Sequence, residues 1–115
     1  MPVVFVIARD WNLRVGVRAE LRERGIEALG MDAPVDAGRA LASGQLPAVV
    51  VLEAVPELTA DLGVQKLVEN VPTILIASRT EVVPLPPVDS VIYRPVRVGE
   101  IVARVHEIIA RGHAA

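Results

Sequence analysis

Short apolar runs alternate along the chain with apolar residues spaced three or four apart, and each change of period marks an element. Val3-Val4-Phe5-Val6-Ile7-Ala8 is continuous and rich in β-branched residues, which predicts a buried strand. After a turn through Arg9-Asp10-Trp11-Asn12, the residues Leu13, Val17 and Leu21 fall four apart on one helical face, and Gly25 stops that helix. Residues 26–31 read as a weaker strand, interrupted by Glu27 and Gly30. Asp32-Ala33-Pro34 predicts the next helix start, with the Asp32 carboxylate as cap and a proline whose missing N–H is not needed there. Ala37, Ala40 and Leu41 form its apolar stripe, and Gly44 ends it.

Pro47-Ala48-Val49-Val50-Val51-Leu52 is the strongest strand signal, and it delivers Glu53 to its C-terminal end. A helix over 59–69 and a strand over 73–77 follow. The pattern then fails: Pro84, Pro86 and Pro87 exclude a regular helix interior, so residues 79–88 read as an irregular, proline-stiffened crossover. Val91-Ile92-Tyr93 is the last strand and Arg94-Pro95 a turn. Residues 99–110 form the final helix, with Ile101, Val102, Val105, Ile108 and Ile109 facing inward. Five strands alternating with four helices predict an α/β domain over residues 1–115, with a parallel sheet and right-handed crossovers.

Composition supports this and narrows the chemistry. With 115 residues, 52% of them hydrophobic and 23% charged, the chain has the size and filling of one globular domain. Phe5, Trp11 and Tyr93 are its three aromatics, so aliphatic side chains must fill the core, as suits a parallel sheet covered on both faces. A net charge of -2 argues against a nucleic-acid partner, and the absence of cysteine removes disulfides, thiolate metal sites and thiol nucleophiles. Met1-Pro2 runs straight into the first strand, and no apolar run approaches the roughly 18 residues of a membrane span. A cytoplasmic protein without signal peptide or membrane contact is expected. There is no glycine-rich phosphate loop. His106 and His113 lie far in sequence from any carboxylate cluster, and Ser78 has no base near it in sequence. No catalytic residue, metal or cofactor is expected.

In a doubly wound sheet the functional crevice lies at the C-terminal strand ends, here Ala8, Arg9, Asp10, Glu53, Ala77, Ser78 and Arg94. Their order resembles the receiver domain of two-component response regulators, over nearly the whole chain. The resemblance implies a flavodoxin-like strand order 2-1-3-4-5, with the helix before the last strand missing or irregular. In that family an acidic pair after the first strand binds Mg²⁺ and an Asp ending the third strand accepts a phosphoryl group. A Ser or Thr ends the fourth strand, and a Lys-Pro with a cis peptide follows the fifth. Here the acidic pair is Ala8-Arg9, the acceptor position holds Glu53, the hydroxyl position holds Ala77 with Ser78 shifted by one, and Arg94-Pro95 stands for Lys-Pro. Val91 occupies the position of the family's aromatic switch. The resemblance is thus to a degenerate receiver.

Two readings stand for each singled-out residue. Glu53 is a constitutive stand-in for a phosphorylated Asp, paired with Arg94 or Arg9, or it accepts loop N–H groups at a strand end. Trp11 anchors a partner or forms a lid over the crevice. The stripe Arg14, Arg18, Arg22 is a docking face or a solvated one. The expected function is a non-phosphorylatable pseudo-receiver that signals through contact with a protein such as a histidine kinase or another regulator. The alternatives are a small-ligand or anion sensor using the vacated crevice near Arg9, Arg79 and Arg94, and a weakly active phosphorelay receiver.

Overall fold

Alternation of side chains along three central strands creates two cores, one on each face of the sheet. A computed structural model of the chain describes residues 2–80, 83 and 85–114, the last two by their backbone alone. Strand β1 (Val3–Ile7) is buried along its whole length, as are β3 (Val49–Glu53) and β4 (Thr73–Ala77). β2 (Glu27–Met31) and β5 (Ser90–Tyr93) are the half-exposed edges of an all-parallel sheet in the order β2-β1-β3-β4-β5. Val4, Val6, Val49, Val51, Ile74 and Ile76 face helices α1 (Trp11–Glu23) and α5 (Val98–Ala114). The alternate residues Phe5, Ile7, Val50, Leu52 and Leu75 face α2 (Pro34–Ala42), α3 (Pro56–Thr59) and α4 (Leu62–Asn70). A strand buried on both faces must be apolar at every position, which is why these runs lack a period of two in sequence.

The expected strands, order and final helix are all present, and α5 buries Ile101, Val102, Val105 and Ile108. Gly25 (φ 76°) terminates α1 and Gly44 (φ 93°) follows α2, conformations that favour glycine. Gly16 has a different role: a Cβ there would stand 3.0 Å from Cγ2 of Val98, so α1 and α5 approach closely because it has none.

Two local expectations need correction. The cap of α2 is Ala33 rather than Asp32, and no side chain caps this helix. The residue before a proline is driven into the extended region, and Ala33 (φ -139°, ψ 148°) occupies that position, which leaves Asp32 one residue too early. The helix expected over 59–69 is two helices. The extended residue Asp61 interrupts it and restarts the chain as the cap of α4, accepting the Val64 N–H at 3.0 Å. The Gln65 side chain donates to the Thr59 carbonyl across the break. Asp61→Ala should therefore destabilise the domain by about 1 kcal/mol, the usual loss for a capping side chain. Superimposable thermal melts of the two proteins would show that the cap contributes nothing.

Between β4 and β5 none of the described residues is helical. Val83, Leu85 and Val88 pack on the same core as α2 and α4, covering the sheet face without a regular element. Of the three prolines invoked for this segment, Pro84 lies outside the described residues. Among the described residues no helix is long and apolar enough to cross a membrane.

Candidate functional site

Parallel register sets Glu53, the last residue of β3, opposite Ile76, and side-chain alternation points it to the same side as Val49 and Val51. There the loop after β1 closes over it. Its side chain is only 8% exposed, a costly position for a carboxylate without partners. It has three. Oε1 accepts the backbone N–H of Arg9 at 2.7 Å and of Asp10 at 3.0 Å, and Oε2 accepts from Nη2 of Arg94 at 2.6 Å. The two kinds of contact expected of Glu53 occur together: it accepts loop N–H groups and it pairs with an arginine. The arginine is Arg94. Arg9 contributes its main chain, while its side chain is exposed and makes no ion pair among the described residues.

Asp10 completes the cluster. Its Oδ1 accepts the Leu13 N–H at 3.2 Å, capping α1, and its Oδ2 lies 3.6 Å from Nη1 of Arg94. Sequence reading placed Asp10 only at the start of a turn. The S/T/D/N-type cap before the Leu13 periodicity was the available signal for its cap role, but its approach to Arg94 required the folded chain. Arg94, at the end of β5, is held by its own N–H on the Ala77 carbonyl, and the Arg94–Pro95 peptide is cis.

Comparison with known proteins places this arrangement in context. No family model matches the chain, and no curated protein matches it by sequence. Solved structures match it over nearly its whole length. A response regulator receiver protein from Burkholderia phymatum superposes with a TM-score of 0.76 at 18% identity, covering 96% of each chain. A CheY-like receiver domain protein from Methanospirillum hungatei gives 0.77 at 14% identity, covering 99% of this chain and 98% of the other. A two-component response regulator from Clostridium difficile gives 0.75 at 14% identity, with 96% and 98% covered. This chain has the receiver fold.

Identity at this level carries the fold and leaves the chemistry to be read from the residues present. Just after β1 and at the end of β4, Ala8 (1% exposed) and Ala77 (3% exposed) carry methyl groups packed into the two cores on opposite faces of the sheet, and neither supplies the oxygen ligand that a hard cation needs. The carboxylate of Glu53 is engaged at both oxygens, and that of Asp10 caps a helix and faces Arg94. Among the described residues no group of three or more His, Asp or Glu is placed to hold a metal ion. These donors do not fit Mg²⁺. Ser78 is half-buried beside Ala77, and His106 lies exposed on α5. The side chain of His113 is outside the described residues.

The α1 surface divides. Trp11, its first residue, is 57% exposed and so is no lid; the Arg14 guanidinium stands 5.8 Å from its ring centroid. Arg14 is half-buried, donates to the Ala8 carbonyl at 2.7 Å, and lies with Arg18 against Gly30 of β2. Arg22 alone of the three is freely exposed. Val91 carries no ring; the ring of β5 is Tyr93, half-exposed beneath the Arg79 guanidinium at 5.0 Å.

Proposed function

We propose that this domain serves signal transduction as a non-enzymatic pseudo-receiver in the cytoplasm, one that takes no phosphoryl group and acts through protein contacts. The observation that carries the reading is the saturation of Glu53. A phosphoacceptor needs a free carboxylate oxygen and a metal beside it, whereas Glu53 is already bound by two main-chain N–H groups and a guanidinium, and Ala8 and Ala77 carry no oxygen ligand. Through these bonds Glu53 ties the β1–α1 loop to the end of β5 in a single arrangement. A conformational equilibrium shifts only through differential affinity, and no phosphorylation step is left to supply it.

The contact surface we assign is the exposed face of α1, where Trp11 and Val15 stand four residues apart, with Arg22 beyond them. A signalling protein, such as a histidine kinase or another regulator, is the partner class. The anion-sensor alternative has less support, because Arg94 is occupied by two carboxylates and Arg79 is stacked on Tyr93.

Incubation with acetyl phosphate and millimolar Mg²⁺ tests the reading. Intact-mass measurement should show no phosphoryl adduct, and Mg²⁺ alone should move no amide resonance of Arg9, Asp10 or Glu53. A phosphorylated Glu53, or a saturable Mg²⁺ shift at those amides, would return the domain to the phosphorelay class.

A further inference from the structure

Helices α2 and α4 lie side by side on one face of the sheet, and a groove of about 550 Å³ opens between them. Small-molecule sites occupy about 300–1,000 Å³ and are mostly apolar with a few placed polar groups. This groove has that character: Leu41, Leu46, Leu67 and Val71 form its apolar walls, and Lys66 and Asn70 are its polar contribution. Leu46 is 78% exposed at its mouth. Lys66 is the only lysine in a chain of 12 cationic residues, and among the described residues it has no carboxylate within ion-pair distance. The Asn70 amide donates to the Lys66 carbonyl at 2.8 Å, so the two polar groups belong to one helical turn. Leu46 precedes β3 and Val71 precedes β4, which sets the groove at the N-terminal ends of the strands, away from Glu53 at the C-terminal end of β3, and makes it independent of that cluster.

We propose that this groove binds an aliphatic carboxylic acid, its carboxylate on the Lys66 ammonium and its chain along Leu41, Leu46, Leu67 and Val71. Charge complementarity chooses the ligand: the only formal charge in the lining is one unpaired cation, which suits one anionic head, while the remaining wall suits a hydrocarbon tail. An exposed ion pair alone gives little affinity, so removal of the tail from water supplies most of the binding and Lys66 supplies selectivity for an acid. A second copy of the chain suits the groove less well, because an isologous contact centred here would bring two Lys66 ammoniums together.

The test is titration of the full chain with decanoate and with decanol, both kept below aggregation, read by methyl NMR. Decanoate should shift the Leu41, Leu46 and Leu67 methyls saturably, and decanol should bind roughly two- to fivefold more weakly for want of one exposed ion pair. Lys66→Gln should reduce decanoate binding to the level of decanol and leave decanol unchanged, whereas Lys66→Arg should retain the preference. Leu46→Ser should weaken both ligands. Both side chains are exposed, and unchanged amide spectra away from the groove would verify that the variants fold. Unmoved groove methyls, or equal affinity for acid and alcohol in the unaltered protein, would overturn the proposal. So would a dimer that dissociates on dilution and is lost in Leu46→Ser, since the groove would then belong to a second copy.

Discussion

Glu53→Ala is expected to lower the unfolding free energy by about 3 kcal/mol, the range for stripping the partner from a nearly buried charged cluster. Three donors lose their acceptor at once: the N–H groups of Arg9 and Asp10 and the Nη2 of Arg94. The two amides turn inward beneath the β1–α1 loop, whereas Arg94 is 35% exposed and keeps Asp10 and water, so most of the loss falls on the main chain. Glu53→Gln separates the contributions. Its carbonyl oxygen still accepts the two amides, but its NH₂ meets the Arg94 donor, and about 1 kcal/mol or somewhat more should be lost. Arg94→Met added to Glu53→Gln removes that donor clash and should recover part of the loss; added to Glu53→Ala it should recover little, because the orphaned amides remain. Urea denaturation of the four variants measures the cycle. If Glu53→Gln unfolds at the same urea concentration as the unaltered protein, the pair contributes nothing and the proposed fixed conformation loses its cause.

Trp11→Ala should leave stability within about 1 kcal/mol, since the ring is mostly in water and gives up little more than its approach to Arg14. Its effect should fall on association. An exposed aromatic anchor at a protein interface contributes about 2 kcal/mol or more, so the partner should bind roughly 30-fold more weakly. Capture from the protein's own cells with the unaltered chain and the variant as baits, followed by titration of the recovered partner, measures this. Trp11 is the sole tryptophan, so its fluorescence reports directly whether the partner covers it. Equal recovery and affinity with both baits would remove the α1 face as the contact surface. Arg14→Ala should weaken binding less but destabilise the fold more, because Arg14 packs on Gly30 and donates to the Ala8 carbonyl.

The strand runs, the helical face of Leu13, Val17 and Leu21, and the crevice positions from Ala8 to Arg94 were all legible in one dimension. Period and breaker residues are local properties, and a doubly wound sheet brings its C-terminal strand ends together whatever its loops contain. That Ala8-Arg9 offers no carboxylate is likewise visible from residue type alone. Local competition hid two details. Asp61 reads as one more polar position in a helical stripe, and only its extended backbone and its bond to Val64 show that it divides α3 from α4. Asp32 reads as a cap, yet Pro34 constrains the residue immediately before it, which is Ala33.

What the tertiary structure alone decided is which charges meet. Glu53 and Arg94 are 41 positions apart and Arg9 lies 44 from Glu53, so spacing offered both arginines as partners. The register of β3, β4 and β5 brings the Arg94 guanidinium onto Glu53, while the turn after β1 presents the main chain of Arg9 and carries its side chain into water. The stripe of Arg14, Arg18 and Arg22 is even in sequence, but β2 is an edge strand with Gly30 at the contact, and the first two arginines lie down on it. The groove around Lys66 is also a product of packing, since it exists only where α2 and α4 converge beside Leu46. Hydrophobic period specifies elements because burial depends on one residue and its near neighbours; ion pairs and grooves depend on residues that only the folded chain brings within a few ångströms.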